Sequence, residues 1–221
     1  MKIYIAGHLR LVGSAIVRQI ESEGKHSWVG KSRAEVDLLD RSAVFSFLEA
    51  EKPDAVILAA AKVGGIHANS SFPVQFLSQN LQIETNVMDA SHAAGVENLL
   101  FLGSSCVYPR LSKQPIKEEY LLTGELEKTN EAYAISKISG LKLVQAYRQQ
   151  FGRKWISAMP TNIYGPGDNF DPESAHVLPA LIKKFHQARV SGDDSVSLWG
   201  TGSPKREFLH SDDLGLSLIH I

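Results

Sequence analysis

The sequence predicts an α/β fold in which a doubly wound parallel sheet carries helices on both faces. Short, wholly apolar runs recur along the first half of the chain, and such runs are typical of parallel strands buried on both sides. Segments with helical spacing of apolar residues alternate with these runs. The first run ends in a glycine-containing turn that leads directly into a helix, as in folds that bind a ligand at the edge of a parallel sheet.

The predicted elements alternate along the chain between turn and cap signals. Their expected bounds are strand 3–6, helix 14–20, strand 26–29, helix 41–51, strand 55–61, helix 73–95, strand 98–103, a helix around 131–137, a strand ending at 157–160 and a helix starting at 211.

Composition narrows the class of protein. The 221 residues are 43% hydrophobic and 21% charged, with a net charge of -1, a balance that indicates neither a nucleic-acid partner nor a membrane partner. No apolar run resembles a signal peptide or reaches membrane-spanning length. The one cysteine, Cys106, rules out an internal disulfide and fits a reducing compartment. We therefore expect a cytoplasmic protein, and the pattern suggests no metal site.

The turn between the first strand and the first helix has the spacing of a phosphate-binding loop. Gly7 and Gly13 occupy the outer glycine positions of a Gly-x-x-Gly-x-x-Gly pattern, whereas Arg10 stands at the middle one. Free amides at the helix start and the helix dipole favour a pyrophosphate there. Arg10 leaves close backbone approach open to question, and its side chain could turn outward or pair with a phosphate.

Basic residues follow the second predicted strand. A protein that binds NAD usually places a carboxylate at this distance from the glycine turn, against the ribose 2′-hydroxyl, and positive charge suits the extra phosphate of NADP. Lys31 and Arg33 therefore favour NADP. The alternative is a solvated basic turn.

A tyrosine and a lysine four residues apart, Tyr133 and Lys137, share one helix face. We expect the ammonium to lower the pKa of the phenol and so make it a usable proton donor or acceptor. Ser104, Ser105 and Cys106 end another strand at the edge where ligands bind. A serine there could hydrogen-bond a substrate carbonyl together with Tyr133.

Five segments together resemble the extended short-chain dehydrogenase/reductase family, and within it the 3,5-epimerase/4-reductases that act on GDP-4-keto-6-deoxy-D-mannose. The resemblance extends from residue 2 to about residue 213 and implies a Rossmann-type sheet. It is carried by residues 59–66, 101–109, 133–137, 159–166 and 206–210.

The resemblance implies roles for individual residues. Ser104, Tyr133 and Lys137 match the reductase triad, with Ser105 ranked second to Ser104, and Cys106 and His176 match the acid/base pair of epimerisation. The residues implied for NADP binding are Gly7, His8, Arg10, Val12, Gly13, Lys31, Arg33, Leu102, Gly103, Ser105, Lys137, Pro160, Asn162, Ile163 and His176. Those implied for the nucleotide-sugar are Lys184, where the family more often has arginine, together with Trp199 and Arg206.

The resemblance also implies two regions and an assembly. We expect residues 1–160 to form the NADP-binding domain and residues 161–221 to form part of an incomplete substrate lobe, because family members continue beyond this point. Residues 214–221 depart from the family pattern. The full-length family implies a homodimer.

Two other functions stay open at this stage. Another sugar-nucleotide reductase or 4-epimerase would share the triad without needing Cys106 and His176. A non-catalytic NADP-binding protein would be consistent with Arg10 and the short C-terminal region, although an intact triad argues against it.

Overall fold

A five-stranded parallel sheet forms the centre of the computed structural model, which describes residues 1–171, 174–198 and 200–220. Every neighbouring pair of strands is parallel, and the spatial order is β2-β1-β3-β4-β5. The doubly wound parallel α/β fold predicted from the sequence is confirmed. The strands are β1 (Lys2–Ala6), β2 (Ser27–Val29), β3 (Ala55–Leu58), β4 (Asn98–Leu102) and β5 (Lys154–Ala158).

Helices connect these strands and end at recognisable signals. Asp40 caps its helix by accepting a hydrogen bond from the Ala43 amide at 3.1 Å, and Gly24 and Gly152 end theirs in the left-handed conformation. The α-helices are α1 (Leu11–Glu23), α2 (Arg41–Glu51), α3 (Ile66–Ser71), α4 (Pro73–Ala93), α5 (Glu131–Phe151), α6 (Val177–Ser191) and α7 (Ser211–Leu218). A separate two-stranded parallel sheet pairs β6 (Asn162–Tyr164) with β7 (Phe208–His210).

Alternation along the strands divides the core between the two faces of the sheet. In β1, Tyr4 and Ala6 point to one face and Ile3 and Ile5 to the other. Helices α2, α4 and α5 cover the first face, and α1 and α7 cover the second. Since both faces are covered, the central strands β1, β3 and β4 are buried beyond their first residue, which explains the apolar sequence of those positions.

Helix α7 packs against α1. Leu214 and Leu218 are buried with Ile16 and Ile20, and Arg18 forms an ion pair with Asp212. Residues 211–218 therefore contribute to the core of the large sheet. The division of the chain at residue 160 stays a prediction.

The order in which the chain adds strands to the sheet reverses at β1. The chain places β2 on one side of β1 and then crosses over to place β3 on the other side. Such a point opens a crevice at the carboxyl ends of the strands, where ligands bind in this fold class. The strand predicted over residues 55–61 stops at Leu58, and α3 follows it without having been predicted. Within the described residues, no helix combines the length and apolarity needed to cross a bilayer.

Candidate active site

The turn after β1 requires both of its outer glycines. Gly7 has φ +94°, which disfavours any residue with a Cβ, and a Cβ on Gly13 would lie 2.2 Å from the Gly7 carbonyl oxygen. The turn therefore brings β1 and α1 together so closely that only a bare backbone fits. The first turn of α1 carries no acidic residue, which leaves its N-terminus free to attract an anion.

Arg10 does not strain this turn. Its φ of -101° and ψ of 169° are extended values that any residue adopts, and its amide donates to the Gly7 carbonyl at 3.0 Å. The arginine side chain is exposed. The middle glycine of the pattern is therefore dispensable for backbone conformation.

The basic turn after β2 is occupied by ion pairs. Lys31 contacts Glu35 at 3.3 Å, and Arg33 contacts Asp37 at 3.2 Å. Hydrogen bonds from Ser32, followed by Lys31, lower the pKa of Glu35 to about 2. Pairs this exposed are weak, so both cations remain available to a phosphate, but an incoming phosphate has to compete with two carboxylates that the sequence prediction left out.

The His8 side chain extends from the glycine turn and packs against the end of β2 and the residue that follows it. A Cβ on Gly30 would lie 2.4 Å from the His8 ring, and the His8 and Trp28 ring centroids are 5.7 Å apart. Burial lowers the pKa of His8, and the charge of Glu35 opposes this. The ring is therefore held in a neutral form against the loop that carries Lys31.

Lys137 lies deep beneath the site. Its ammonium donates to the Leu102 carbonyl at 3.0 Å and lies 6.0 Å from the centroid of the Tyr133 ring. One turn of α5 separates the two residues, as the sequence spacing predicted. The helix therefore places the cation under the phenol at the carboxyl end of β4.

Glu84 of α4 is the partner of Lys137, and sequence reasoning assigned it no role. The two side chains are only 2% and 3% exposed, and Lys137 Nζ lies 3.2 Å from Glu84 Oε1. A Cβ on Gly140 would lie 2.8 Å from Glu84 Oε2, so this glycine provides the space for the carboxylate. A signal existed: Glu84 falls on the same helical stripe as buried Phe76 and Asn80.

Burial dominates the electrostatics of this pair. It raises the pKa of Glu84 to about 7, with Lys137 opposing the shift. It lowers the pKa of Lys137, with Glu84 opposing. No other donor in the described chain reaches either oxygen of Glu84, so the ionised carboxylate depends on a single partner.

The expectation that Lys137 lowers the pKa of Tyr133 is wrong. The pKa of Tyr133 is raised, first by burial and then by the negative charges of Cys106 and Glu84, while a hydrogen bond with Ser104 opposes the shift. The phenol therefore stays protonated, which suits a proton donor better than a base.

The turn after β4 brings the predicted serine and cysteine to the same place. The Ser104 hydroxyl accepts a hydrogen bond from the Cys106 amide at 3.3 Å, which begins a 3-10 turn over Ser105–Val107. The Asn130 side chain donates to Cys106 Sγ at 3.2 Å. Ser105 is exposed, and sequence reasoning missed Asn130.

His176 stands apart from this cluster. It is the exposed N-cap residue of α6, and no hydrogen bond, ion pair or ring contact of the described residues joins it to Cys106 or Tyr133. The segment before it packs on the loop after β3, where the Gly65 amide donates to the Ser174 carbonyl at 3.1 Å. Its pairing with Cys106 stays a prediction.

The other residues predicted to bind NADP are held by backbone hydrogen bonds, side-chain hydrogen bonds or core packing. The amide of Gly103 donates to the Ala158 carbonyl at 2.8 Å. Asn162 is exposed, and its amide donates to the Glu207 carbonyl at 3.0 Å, so this side chain ties β6 to the segment before β7. Val12, Leu102, Pro160 and Ile163 are buried or half-buried.

The residues predicted to bind the nucleotide-sugar are Lys184, Trp199 and Arg206. Lys184 donates to the Ser197 carbonyl at 2.7 Å. Arg206 is exposed and donates to the carbonyl of neighbouring Lys205. Trp199 lies outside the described residues. Their roles stay predictions.

Comparison with known proteins identifies the family. The family model described as the NAD dependent epimerase/dehydratase family matches residues 3–220. The chain is 59% identical to GDP-L-fucose synthase 1 of Arabidopsis thaliana and 52% identical to GDP-L-fucose synthase of Escherichia coli, spanning 68% of the length of each.

A solved GDP-L-fucose synthetase from Naegleria fowleri, bound to NADP, is 34% identical and has a TM-score of 0.89 over 99% of this chain and 71% of that one. The glycine turn and the Ser104, Tyr133 and Lys137 cluster thus occur in a chain that matches these relatives along its whole length. The chain belongs to the NAD dependent epimerase/dehydratase family and, within it, to the GDP-L-fucose synthases.

Proposed function

We propose that this protein converts GDP-4-keto-6-deoxy-D-mannose to GDP-L-fucose by epimerising C3 and C5 and then reducing C4 with NADPH. One observation carries the proposal: a protonated Tyr133, the Ser104 hydroxyl and the Cys106 thiol converge at the carboxyl end of β4, above a buried Lys137. The family relationship gives the substrate.

The residues of the chain fit NADPH. The glycine turn leaves no room for a Cβ at Gly13 and presents the N-terminus of α1 to a pyrophosphate. Lys31 and Arg33 offer positive charge for the 2′-phosphate. The role proposed for Lys137 is to hold the nicotinamide ribose. When bound, NADPH supplies the hydride for reduction.

Epimerisation needs protons to leave and return next to the C4 carbonyl. Hydrogen bonds from Tyr133 and Ser104 to the C4 oxygen stabilise the enolate and so acidify the hydrogens at C3 and C5. Cys106 removes a proton on one face, and His176 returns one on the other, because a thiol and an imidazole can both act as acid or base in proton transfer.

Reduction uses the same hydrogen bonds with a different outcome. As charge develops on the C4 oxygen, Tyr133 gives up its phenolic proton. The raised pKa of Tyr133 suits this direction, because the phenol arrives protonated. Lys137 lies beneath the phenol and stabilises the phenolate that remains.

The test is an assay of purified protein with NADPH and the 4-keto sugar nucleotide, following NADPH loss and identifying the product. The proposal predicts GDP-L-fucose. Cys106→Ser should bind NADPH normally but lose epimerisation. If Cys106→Ser leaves turnover unchanged, the role of the thiol is refuted.

A different reductase or 4-epimerase acting on another sugar nucleotide is the second candidate, because the triad alone does not choose the sugar. Reduction without stereochemical inversion would favour it. The cytoplasmic location, the homodimer and the division into a domain of residues 1–160 and a substrate region of 161–221 belong to the same proposal.

A further inference from the structure

Asn130 occupies the N-cap position of α5 but does not cap the helix. Asparagine is favoured there because its side-chain oxygen accepts a hydrogen bond from the first turn, yet no such bond forms. The Asn130 amide nitrogen donates to Cys106 Sγ at 3.2 Å instead. Its oxygen is buried and has no partner among the described residues. The contact with sulfur is thus the only hydrogen bond this side chain makes there.

The turn that carries Cys106 and the turn that carries Asn130 each pack against a helix. The 3-10 turn over Ser105–Val107 packs against α5, and its start is fixed by the bond from the Cys106 amide to Ser104. Asn130 ends a second 3-10 turn, which begins at Lys128 and packs against α3. The contact therefore joins two turns that are each packed against a helix.

A hydrogen bond donated to sulfur favours the thiolate over the thiol. Charged and titratable groups on the adjoining elements also act on the sulfur. Tyr133 of α5 is the titratable group that faces Cys106, and Glu84 faces Tyr133 from α4. Both are acids, so their charged forms oppose a thiolate. Lys137 of α5 is a buried cation that lies 6.0 Å from the centroid of the Tyr133 ring and pairs with Glu84. Of the other charged or titratable residues near the contact, Glu127 pairs with Arg110, and His67, Lys128 and Glu131 are exposed.

We infer that Asn130 is a positioning residue for Cys106: its amide fixes the sulfur beside Ser104 and favours the thiolate that removes a substrate proton. The kinetic part of this inference rests on the proposed epimerase function. The effect on the thiolate does not, and it can be measured without substrate or NADPH.

Alkylation with iodoacetamide measures the effect directly, because Cys106 is the one cysteine of the chain and the thiolate is the form that reacts. The rate is followed against pH by mass spectrometry for the intact protein, Asn130→Ala, Asn130→Asp and Thr129→Ala. Thr129 lies in the same turn but bonds to Glu127 and not to sulfur, so it controls for loosening of the turn. Thermal unfolding of each variant checks the fold.

The inference predicts that Asn130→Ala moves the midpoint of the alkylation profile up by about one pH unit, equivalent to ~1.4 kcal/mol. Asn130→Asp should move it up by about two units, because a negative charge then faces the sulfur. Asn130→Asp should also keep or raise the midpoint of thermal unfolding, because aspartate is a good N-cap residue. Opposite movements of stability and reactivity would exclude a purely structural role.

Three results would overturn the inference. The midpoint could stay in place in Asn130→Ala, it could move down, which would mean that the thiol donates to the amide oxygen, or Thr129→Ala could shift it equally. Exchange of solvent deuterium into the sugar is measured separately on the intact protein. No exchange there, with the alkylation shift present, would refute the proposed function and leave the role of Asn130 standing.

Discussion

The substitution Glu84→Gln tests the electrostatics beneath the active site. Glutamine keeps the length of the side chain, and its oxygen can still accept from Lys137, but it carries no titratable proton. The carboxyl of Glu84 has a pKa of about 7 in the folded protein against a reference of 4.5. This difference corresponds to ~3 kcal/mol.

The raised pKa fixes the direction of the pH dependence. At a pH below the pKa that Glu84 has in the unfolded chain, Glu84 is protonated in both the folded and the unfolded state, and its contribution to stability is fully present. As the pH rises through 7, the folded state gives up a proton that the unfolded state has already lost, and the contribution disappears. The lowered pKa of Lys137 acts in the same direction in the comparison, because the variant lacks the carboxylate that opposes it.

The free energy of unfolding of the intact protein, minus that of Glu84→Gln, should therefore fall by ~3 kcal/mol between about pH 5 and about pH 8. Urea denaturation followed by tryptophan fluorescence, to which buried Trp155 contributes, measures both proteins at each pH. Taking the difference cancels the other titrating groups.

Glu97→Gln is a matched control, because Glu97 pairs with Arg153 at 2.8 Å but is 59% exposed. Its difference from the intact protein should stay within ~0.5 kcal/mol at every pH. A difference for Glu84→Gln that rises with pH would show that the charge of Lys137 outweighs burial, and the reasoning would be refuted.

Three further predictions concern the cofactor turn and the phenol. Gly13→Ala should abolish detectable NADPH binding by fluorescence titration, because its Cβ meets the Gly7 carbonyl at 2.2 Å; retained affinity would show that the turn relaxes. Tyr133→Phe should lower the rate of C4 reduction by ~10²-fold or more in single-turnover experiments while NADPH binding is kept; a small change would identify another proton donor. Lys31→Ala and Arg33→Ala should each weaken NADPH more than NADH in competition titrations, and equal losses for both cofactors would remove them from the 2′-phosphate site.

The sequence was sufficient for features that depend on local pattern. The apolar runs that became β1, β3 and β4 are buried on both faces, so their composition reports their environment directly. The glycine spacing predicted the turn before α1 for the same reason, since Gly7 and Gly13 are fixed by local backbone geometry.

Features that depend on contacts between distant segments were missed or predicted wrongly. Glu84 meets Lys137 only when α4 packs on α5, and a single sequence contains no signal for that partner. The pKa of Tyr133 was predicted in the wrong direction because both burial and Glu84 were absent from the argument. Likewise, the sequence analysis missed Asn130, because its side chain meets Cys106 only when the turn before α5 packs beside the turn after β4.

The order of proton and hydride chemistry is the most direct test of the proposed function. The protein is incubated in deuterated water with NADPH and the 4-keto sugar nucleotide, and the product is examined by NMR. We expect GDP-L-fucose with solvent deuterium at C3 and C5 and protium from NADPH at C4. A C4-reduced product without deuterium at C3 and C5 would contradict the account, because Cys106 would then exchange no substrate proton.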